Sequence, residues 1–482
     1  MVNNVDYKLF INGSWRPGGD GARISLNNPA TETTIGTVAV ASAVDLDDAL
    51  ASARKSLSDW SRRPAADRGA LLVKAAGILR GKLAAAARAL SAEQGKTIAE
   101  ASGEYNRAVE TFEWYGSNAV KLTAPYSIDA KRAIVPEPAG IVAAFTPWNY
   151  PAVLNARKLA SALAAGCTVI LKAAEETPSA GVFMVEALEA AGIPAGVVSL
   201  VYGNPPMISE HLLASQDVRV VSFTGSTPVG KHLAAIAAVN LQRSVLELGG
   251  HCPVVVFEDA DLEQAVRAIA EYKFECAGQS CNAPSRILVA RPVFDAFVQK
   301  MVAAAEGIVI GQPDDPTTGM GPMANIRRIE AMERLTLDAV ERGATLHTGG
   351  KRLDRPGYFW APTILTNVHP DSTILTEEPF GPILTLAPFD TIDEAIAMAN
   401  DTEYGLAAYV FTGNPDSQQT MLRGLSAGAI SINYLKGVSV DAPNAGIKQS
   451  GYGYEGGLEG IRAFQNLKLV NSTVPLTIAR PA

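Results

Sequence analysis

The chain has 482 residues, 48% of them hydrophobic and 19% charged, with a net charge of −8. That length supports two or three domains around a large buried core, and a negative balance without a long basic run excludes a nucleic-acid partner. No apolar run of about 18 residues and no basic-then-apolar leader occurs, so no membrane span is expected and the expected compartment is the cytoplasm.

Ala-rich stretches of helical periodicity alternate with short β-branched runs, the pattern of α/β units around a mostly parallel sheet. In chain order, residues 44–57 and 65–101 predict helices. Residues 119–138 break the alternation with a polar, extended stretch containing Pro125, Pro136 and Pro138. Next come a strand at 141–145, a helix at 151–165, a strand at 168–171, a helix at 179–191 and strands at 198–202 and 218–223. A helix begins at about Pro228. A second block from about 250 to 445 opens with a strand at 253–257, after which Asp261 caps a helix carrying Leu262, Ala265, Val266 and Ile269 on one face. It continues with a strand at 286–289, a helix around 325–342 and a strand at 429–433. The tail has a strand at 467–471 that cannot form its own core. This tail and the 119–138 stretch are either surface ribbons or partners of each other and of a neighbouring subunit, since an unpaired edge invites one. Two packed domains with a cleft between them are expected.

Three segments carry chemistry. Cys281 lies in Gly278-Gln279-Ser280-Cys281, Glu247 opens Glu247-Leu248-Gly249-Gly250, and Asn149 lies in Pro147-Trp148-Asn149-Tyr150-Pro151. They supply a thiol nucleophile, a carboxylate base and an amide donor, the parts needed to oxidise an aldehyde through a thioester. The other cysteines, Cys167, Cys252 and Cys276, read as small buried hydrophobes. Four cysteines without a CxxC pair make no disulfide framework, and five histidines without ligand spacing predict no metal site.

The 218–223 strand ends at Thr224-Gly225-Ser226-Thr227-Pro228-Val229-Gly230. A strand, a small-residue turn and a helix N-terminus present backbone N–H groups to a phosphate. The literal GxGxxG at Gly451, Gly453 and Gly456 follows no predicted strand and reads as a turn. Lys172 and Glu175 follow the 168–171 strand, in the crevice where α/β sheets bind ligands. A carboxylate there accepts hydrogen bonds from a ribose 2′-OH and repels a 2′-phosphate, so NAD is expected, with NADP possible.

With Glu378-Pro379-Phe380-Gly381-Pro382 added, these segments resemble the NAD(P)-dependent aldehyde dehydrogenase superfamily over nearly the whole chain. Within that superfamily the chain looks semialdehyde dehydrogenase-like. The resemblance implies a Rossmann-like cofactor-binding domain (1–118 and 139–249), an α/β catalytic domain (250–447) and a bridging β-ribbon (119–138 and 466–482). The ribbon implies a homodimer or homotetramer. The resemblance also implies that Cys281, Glu247 and Asn149 converge as nucleophile, deacylation base and oxyanion donor. Thr146, Trp148, Lys172, Glu175, Gly225, Ser226, Leu248, Glu378 and Phe380 would surround the cofactor. Relatives that pass the acyl group to coenzyme A usually lack the carboxylate at Glu247, so a free acid is the expected product.

For the aldehyde itself, Tyr150, Arg157, Glu275 and Asn444 predict a polar tunnel. Arg157 stands where succinate-semialdehyde dehydrogenases grip a carboxylate, but Glu275 stands where they often carry a second arginine. Either Arg157 binds a carboxylate while Glu275 binds a hydroxyl or ammonium, or the two form an ion pair that narrows the tunnel. The expected substrate is a carboxylated semialdehyde; the alternatives are an amino-, hydroxy- or heteroaromatic aldehyde. Two other classes stand against it: a silent relative with a binding role, and a cofactor-free thiol hydrolase using His251 as its base.

Overall fold

The computed structural model describes residues 5–477, so residues 478–482 of the expected ribbon lie outside the described residues. Among the described residues no helix is long and apolar enough to cross a membrane.

Five parallel strands form the centre of the first sheet, in the order Arg243–Glu247, Val218–Thr224, Ile141–Phe145, Thr168–Lys172, Val198–Val201. Their residues are almost all buried, as expected of strands covered by helices on both faces. The order runs outward in both directions from Ile141–Phe145. Loops at the strand C-termini therefore diverge there and leave a crevice. The chain's N-terminal hairpin, Leu9–Ile11 with Ser14–Arg16, extends one edge, and Gly451–Tyr452 closes the other.

A second sheet has seven strands with Cys252–Val256 and Pro284–Ala290 near its centre, and it has its own apolar core. Its strands are parallel apart from the edge strand Thr345–Thr348. Both sheets match the α/β expectation.

Three sequence expectations change. The single helix expected at 65–101 is three: Ala65–Gly81, Leu83–Gln94 and Ile98–Leu122. Gly95 ends the second in a left-handed conformation (φ 96°), and Thr97 with Glu100 forms a capping box that starts the third. That third helix runs to Leu122, so residues 119–122 belong to it and not to the ribbon. The strands that follow, Tyr126–Asp129 and Arg132–Pro138, pair antiparallel. Arg132–Pro138 also pairs with Gln465–Asn471 over seven residues, which resolves the two readings of these stretches in favour of mutual pairing. Finally, Gly451 of the literal GxGxxG is in a strand. Its φ of 117° and lack of a Cβ let it pair against Glu247, where a Cβ would lie 1.9 Å from the Leu246 carbonyl oxygen.

Candidate active site

The crevice of the first sheet faces loops that lead into the second sheet, and together they enclose a cavity of about 510 Å³. Cys281, Glu247 and Asn149 all line it. So do Trp148, Gly225, Ser226, Leu248, Glu378 and Phe380, and also Tyr150, Arg157, Glu275 and Asn444. Thr146, Lys172 and Glu175 do not. They stand beside it at the C-terminal ends of the central strands, where the Thr146 hydroxyl donates to Asn155 Oδ1 (2.6 Å).

Cys281 is reached through a strained turn. Cys276 and Ala277 hold φ of 54° and 50°, followed by Gly278 at 72°. Such backbone persists only where surrounding contacts fix it. Buried Gln279 supplies them: its Nε2 donates to the Cys276 carbonyl (2.8 Å) and its Oε1 accepts from Ala324 N–H (3.0 Å). A Cβ on Gly278 would lie 2.3 Å from the Gly381 carbonyl oxygen, so glycine lets the cysteine loop sit against the Phe380 loop. Phe380 in turn meets Trp148 edge-on at 5.5 Å. The two loops that close the cavity are thus locked to each other and to the Asn149 segment.

Asn149 is buried at the start of the Pro151–Ala165 helix, whose N-cap residue Tyr150 makes no side-chain cap bond. Glu104 takes that role: its Oε1 accepts from Ala152 N–H (2.6 Å) and Val153 N–H (3.3 Å). Its other oxygen pairs with Lys96 Nζ at 2.5 Å, both side chains being fully buried. Lys96 also donates to the Asn149 carbonyl (2.7 Å). The pair fixes Asn149's backbone, while its side-chain Nδ2 donates to the Gln279 carbonyl (3.0 Å) and keeps a second N–H. Removing one member leaves a buried charge uncompensated. Lys96→Met is expected to destabilise the protein by about 3–5 kcal/mol in urea unfolding; a change below about 1 kcal/mol would show that the pair does not hold this segment.

Glu247 ends the Arg243–Glu247 strand. Its Oε2 accepts from Asn444 Nδ2 (3.0 Å), and its Oε1 is buried without a partner. Burial, then the nearby Glu455 carboxylate, push its pKa well above the carboxylate range, with Arg157 and Lys158 opposing. Glu455 is itself held by Lys158 in a buried ion pair, and Lys158 also donates to Ser222 (3.1 Å). The Cys281 thiol is raised by burial first, then by Glu378 and Glu247, against Arg157. At neutral pH it is a thiol that must lose its proton, and Glu247 Oε1 is a carboxylate oxygen lining the cavity that is buried without a partner and can take it. Glu378, pushed up to about 7 by burial, accepts from Gly250 N–H (2.9 Å).

His251 does not serve this thiol. Both its ring nitrogens are occupied, by Ser285 Oγ (2.6 Å) and the Ile374 carbonyl (2.9 Å). Burial and Arg286 push its pKa down to about 3, and it does not line the Cys281 cavity. The thiol-hydrolase reading lacks its base. Cys276 is also buried, with its sulfur 3.1 Å from Gln94 Nε2.

Toward the opposite end, the ion-pair reading of Arg157 and Glu275 is corrected. Glu275 pairs with Lys436 (3.3 Å) and accepts from the Tyr150 hydroxyl (3.2 Å). Lys436 comes from the exposed loop after Ala429–Ile432, out of reach of any sequence spacing. Arg157 has no carboxylate oxygen within 4.0 Å among the described residues.

The cofactor half can be tested on its own geometry. The Thr227–Val239 helix begins at Ser226, whose side chain makes no cap bond, so its first-turn N–H groups stay open to a phosphate. Beside it, Lys172 and Glu175 pair at 2.6 Å, and Glu175 also accepts from Gly203 N–H (2.8 Å). These features fit a dinucleotide laid across the strand ends.

The family model described as the aldehyde dehydrogenase family matches residues 15–470. The chain is 42% identical to a 4-(hydroxymethyl)benzenesulfonate dehydrogenase of Comamonas testosteroni over 96% of its length and 98% of the relative's. It is 37% identical to a 3-sulfolactaldehyde dehydrogenase of Pseudomonas putida, covering 96% of each. A crystal structure of succinate-semialdehyde dehydrogenase from Burkholderia pseudomallei superposes with a TM-score of 0.94 at 37% identity, over 97% of this chain and 98% of that one.

Proposed function

Because the chain belongs to the aldehyde dehydrogenase family, we propose that it oxidises an aldehyde carrying a carboxylate or sulfonate at its far end to the carboxylic acid, with NAD as the preferred cofactor. The observation that carries this is the unpaired Arg157 guanidinium in the same cavity as Cys281. A buried or half-buried cation without a counter-ion is costly unless a ligand supplies one. The relatives named for sulfonates and for succinate semialdehyde share that chemistry, an anion remote from the reacting carbon.

When bound, the nicotinamide supplies the hydride acceptor; Ser226, Lys172, Glu175, Glu378 and Phe380 are the residues that would hold the cofactor. Cys281 gives its proton to Glu247 and adds to the aldehyde carbon. Asn149 Nδ2 and the Cys281 backbone N–H are the donors for the resulting oxyanion, and one such donor is worth about 10²–10³ in rate. Loss of hydride from that carbon leaves a thioester on Cys281. Glu247 releases the Cys281 proton to solvent, then takes a proton from water as its oxygen attacks the thioester; the acid leaves, and Glu247 returns that proton to the departing thiolate to restore the thiol. In balance, one aldehyde, one water and one oxidised cofactor give one acid, one reduced cofactor and one proton.

Glu175 supports the preference for NAD, since its carboxylate repels a 2′-phosphate. The ribbon supports a homo-oligomer: Tyr126, Ile128, Leu467 and Leu469 are exposed on it and its outer strands have open edges.

The test is reduced-cofactor absorbance with 4-formylbenzenesulfonate, succinic semialdehyde, benzaldehyde and hexanal, each with NAD and with NADP. An anionic aldehyde is expected to exceed its neutral counterparts at least about tenfold in kcat/KM, with NAD ahead of NADP. Arg157→Gln is expected to remove that advantage mainly through KM. Hexanal or benzaldehyde as the best substrate would end the anionic reading, and equal use of NADP would end the role given to Glu175.

A further inference from the structure

Arg107 also lines the cavity, and no local pattern in the sequence marks it. It projects from the Ile98–Leu122 helix, which packs against the Pro151–Ala165 helix carrying Arg157. The other cations of the cavity are engaged: Lys436 with Glu275, Arg327 with Glu176 (2.8 Å), and Arg328 with the Pro379 carbonyl (2.5 Å). Arg107 and Arg157 are the two whose guanidinium makes neither an ion pair nor a hydrogen bond among the described residues. Arg107 lies at the mouth, exposed, with its guanidinium 5.8 Å from the centre of the Tyr150 ring. Tyr150 in turn is tied to Glu275, and Glu275's charge is answered by Lys436. Neither guanidinium is therefore held by a partner, on a chain whose net charge is −8.

Resting on the anionic-aldehyde reading above, we propose that Arg107 and Arg157 form a two-arginine subsite selective for a sulfonate over a carboxylate. One guanidinium fork satisfies the two coplanar oxygens of a carboxylate. A sulfonate has a third oxygen outside that plane, which needs a donor arriving from another direction. Arg157 and Arg107 come from two different helices, so they can hold three oxygens where one arginine holds two. The Tyr150 ring lines the same cavity beside Arg107 and adds aromatic surface there for a ring spacer.

The test compares kcat/KM for 4-formylbenzenesulfonate, 4-formylbenzoate and benzaldehyde in wild type, Arg107→Gln and Arg107→Lys. Wild type is expected to prefer the sulfonate to the carboxylate. Arg107→Gln is expected to cut the sulfonate-to-carboxylate ratio about 10- to 100-fold, the range of one charge-assisted hydrogen bond, and Arg107→Lys to recover part of it. An equal loss for both anions makes Arg107 a general attracting charge and overturns the proposal. An equal loss for all three aldehydes makes it a structural residue and does the same. If wild type prefers neither anion to benzaldehyde, the anionic reading itself has failed. If that preference stands while Arg107→Gln leaves the ratio intact, only the two-arginine subsite has failed.

Discussion

Replacing Cys281 with serine is expected to reduce aldehyde oxidation by at least about 10⁴-fold while leaving NADH binding, read by fluorescence titration, within about twofold of wild type. The asymmetry follows from the site's construction. The thiol is the one strong nucleophile lining the cavity, since Cys167, Cys252 and Cys276 are buried elsewhere. A serine hydroxyl is a far weaker nucleophile, and the neighbouring carboxylates Glu378 and Glu247, which already hold the thiol's pKa up, would oppose its ionisation further. The turn that presents residue 281 is fixed by Gln279 and Gly278, not by the sulfur, so the fold and the cofactor half should be undisturbed. Residual turnover within about tenfold of wild type would remove covalent catalysis from the account.

The second large effect is a separation of two phases. Glu247→Gln is expected to keep a rapid burst of about one NADH per active site and to slow steady turnover by about 10²–10⁴-fold, the range of general-base catalysis. Glutamine preserves an acceptor for Asn444 Nδ2, so loss of the base is not confounded with loss of that contact. Proton transfer from Cys281 in the first step is also slowed, but the thiol can ionise into solvent, whereas thioester hydrolysis requires a base beside the attacking water. The pH dependence has a definite sign. Burial and Glu455 raise the Glu247 pKa, so the base form appears only above the ordinary carboxylate range, and the acid limb of the steady-state profile should lie there. Glu455→Gln removes the repulsion and leaves Lys158 positive nearby, so the limb should move to lower pH. Equal loss of burst and steady state in Glu247→Gln would make this carboxylate something other than a deacylation base.

Periodicity made the long elements legible. The helix at 151–165 appears with those bounds, and the strands at 141–145 and 168–171 appear to within a residue. What periodicity could not show was where one apolar helical pattern ends and the next begins. Gly95 and the Thr97–Glu100 capping box carried that signal, and it is written in turn chemistry and not in hydrophobic spacing. The Gly451 strand was hidden for another reason: two residues have no period, and only the edge of the Arg243–Glu247 strand makes them a strand.

At the site, the residues lying in dense local motifs were legible: Cys281, Glu247, Asn149, Glu378 and Phe380 come to one cavity. The residues that tune them were not. Glu455 sits among glycines and tyrosines, Lys96 on a turn and Lys436 in an exposed loop. Each gains its meaning from a partner far along the chain, as Lys158 and Glu455 do across 297 positions. The Arg157–Glu275 ion-pair reading failed the same way, because the competing cation Lys436 could not be seen from sequence spacing. Arg107, on a solvent-facing helical position, looks like any solvated charge until the cavity is drawn around it.

The central claim is that the aldehyde carbon becomes covalently attached to Cys281 and is released by Glu247. The most direct measurement is mass spectrometry of Glu247→Gln, acid-quenched within the first turnover with NAD and 4-formylbenzenesulfonate and then digested. The account predicts the acyl mass on the peptide containing Cys281, removed by hydroxylamine and absent without NAD. A burst of NADH with no acylated peptide, or with the acyl group on another residue, would contradict it.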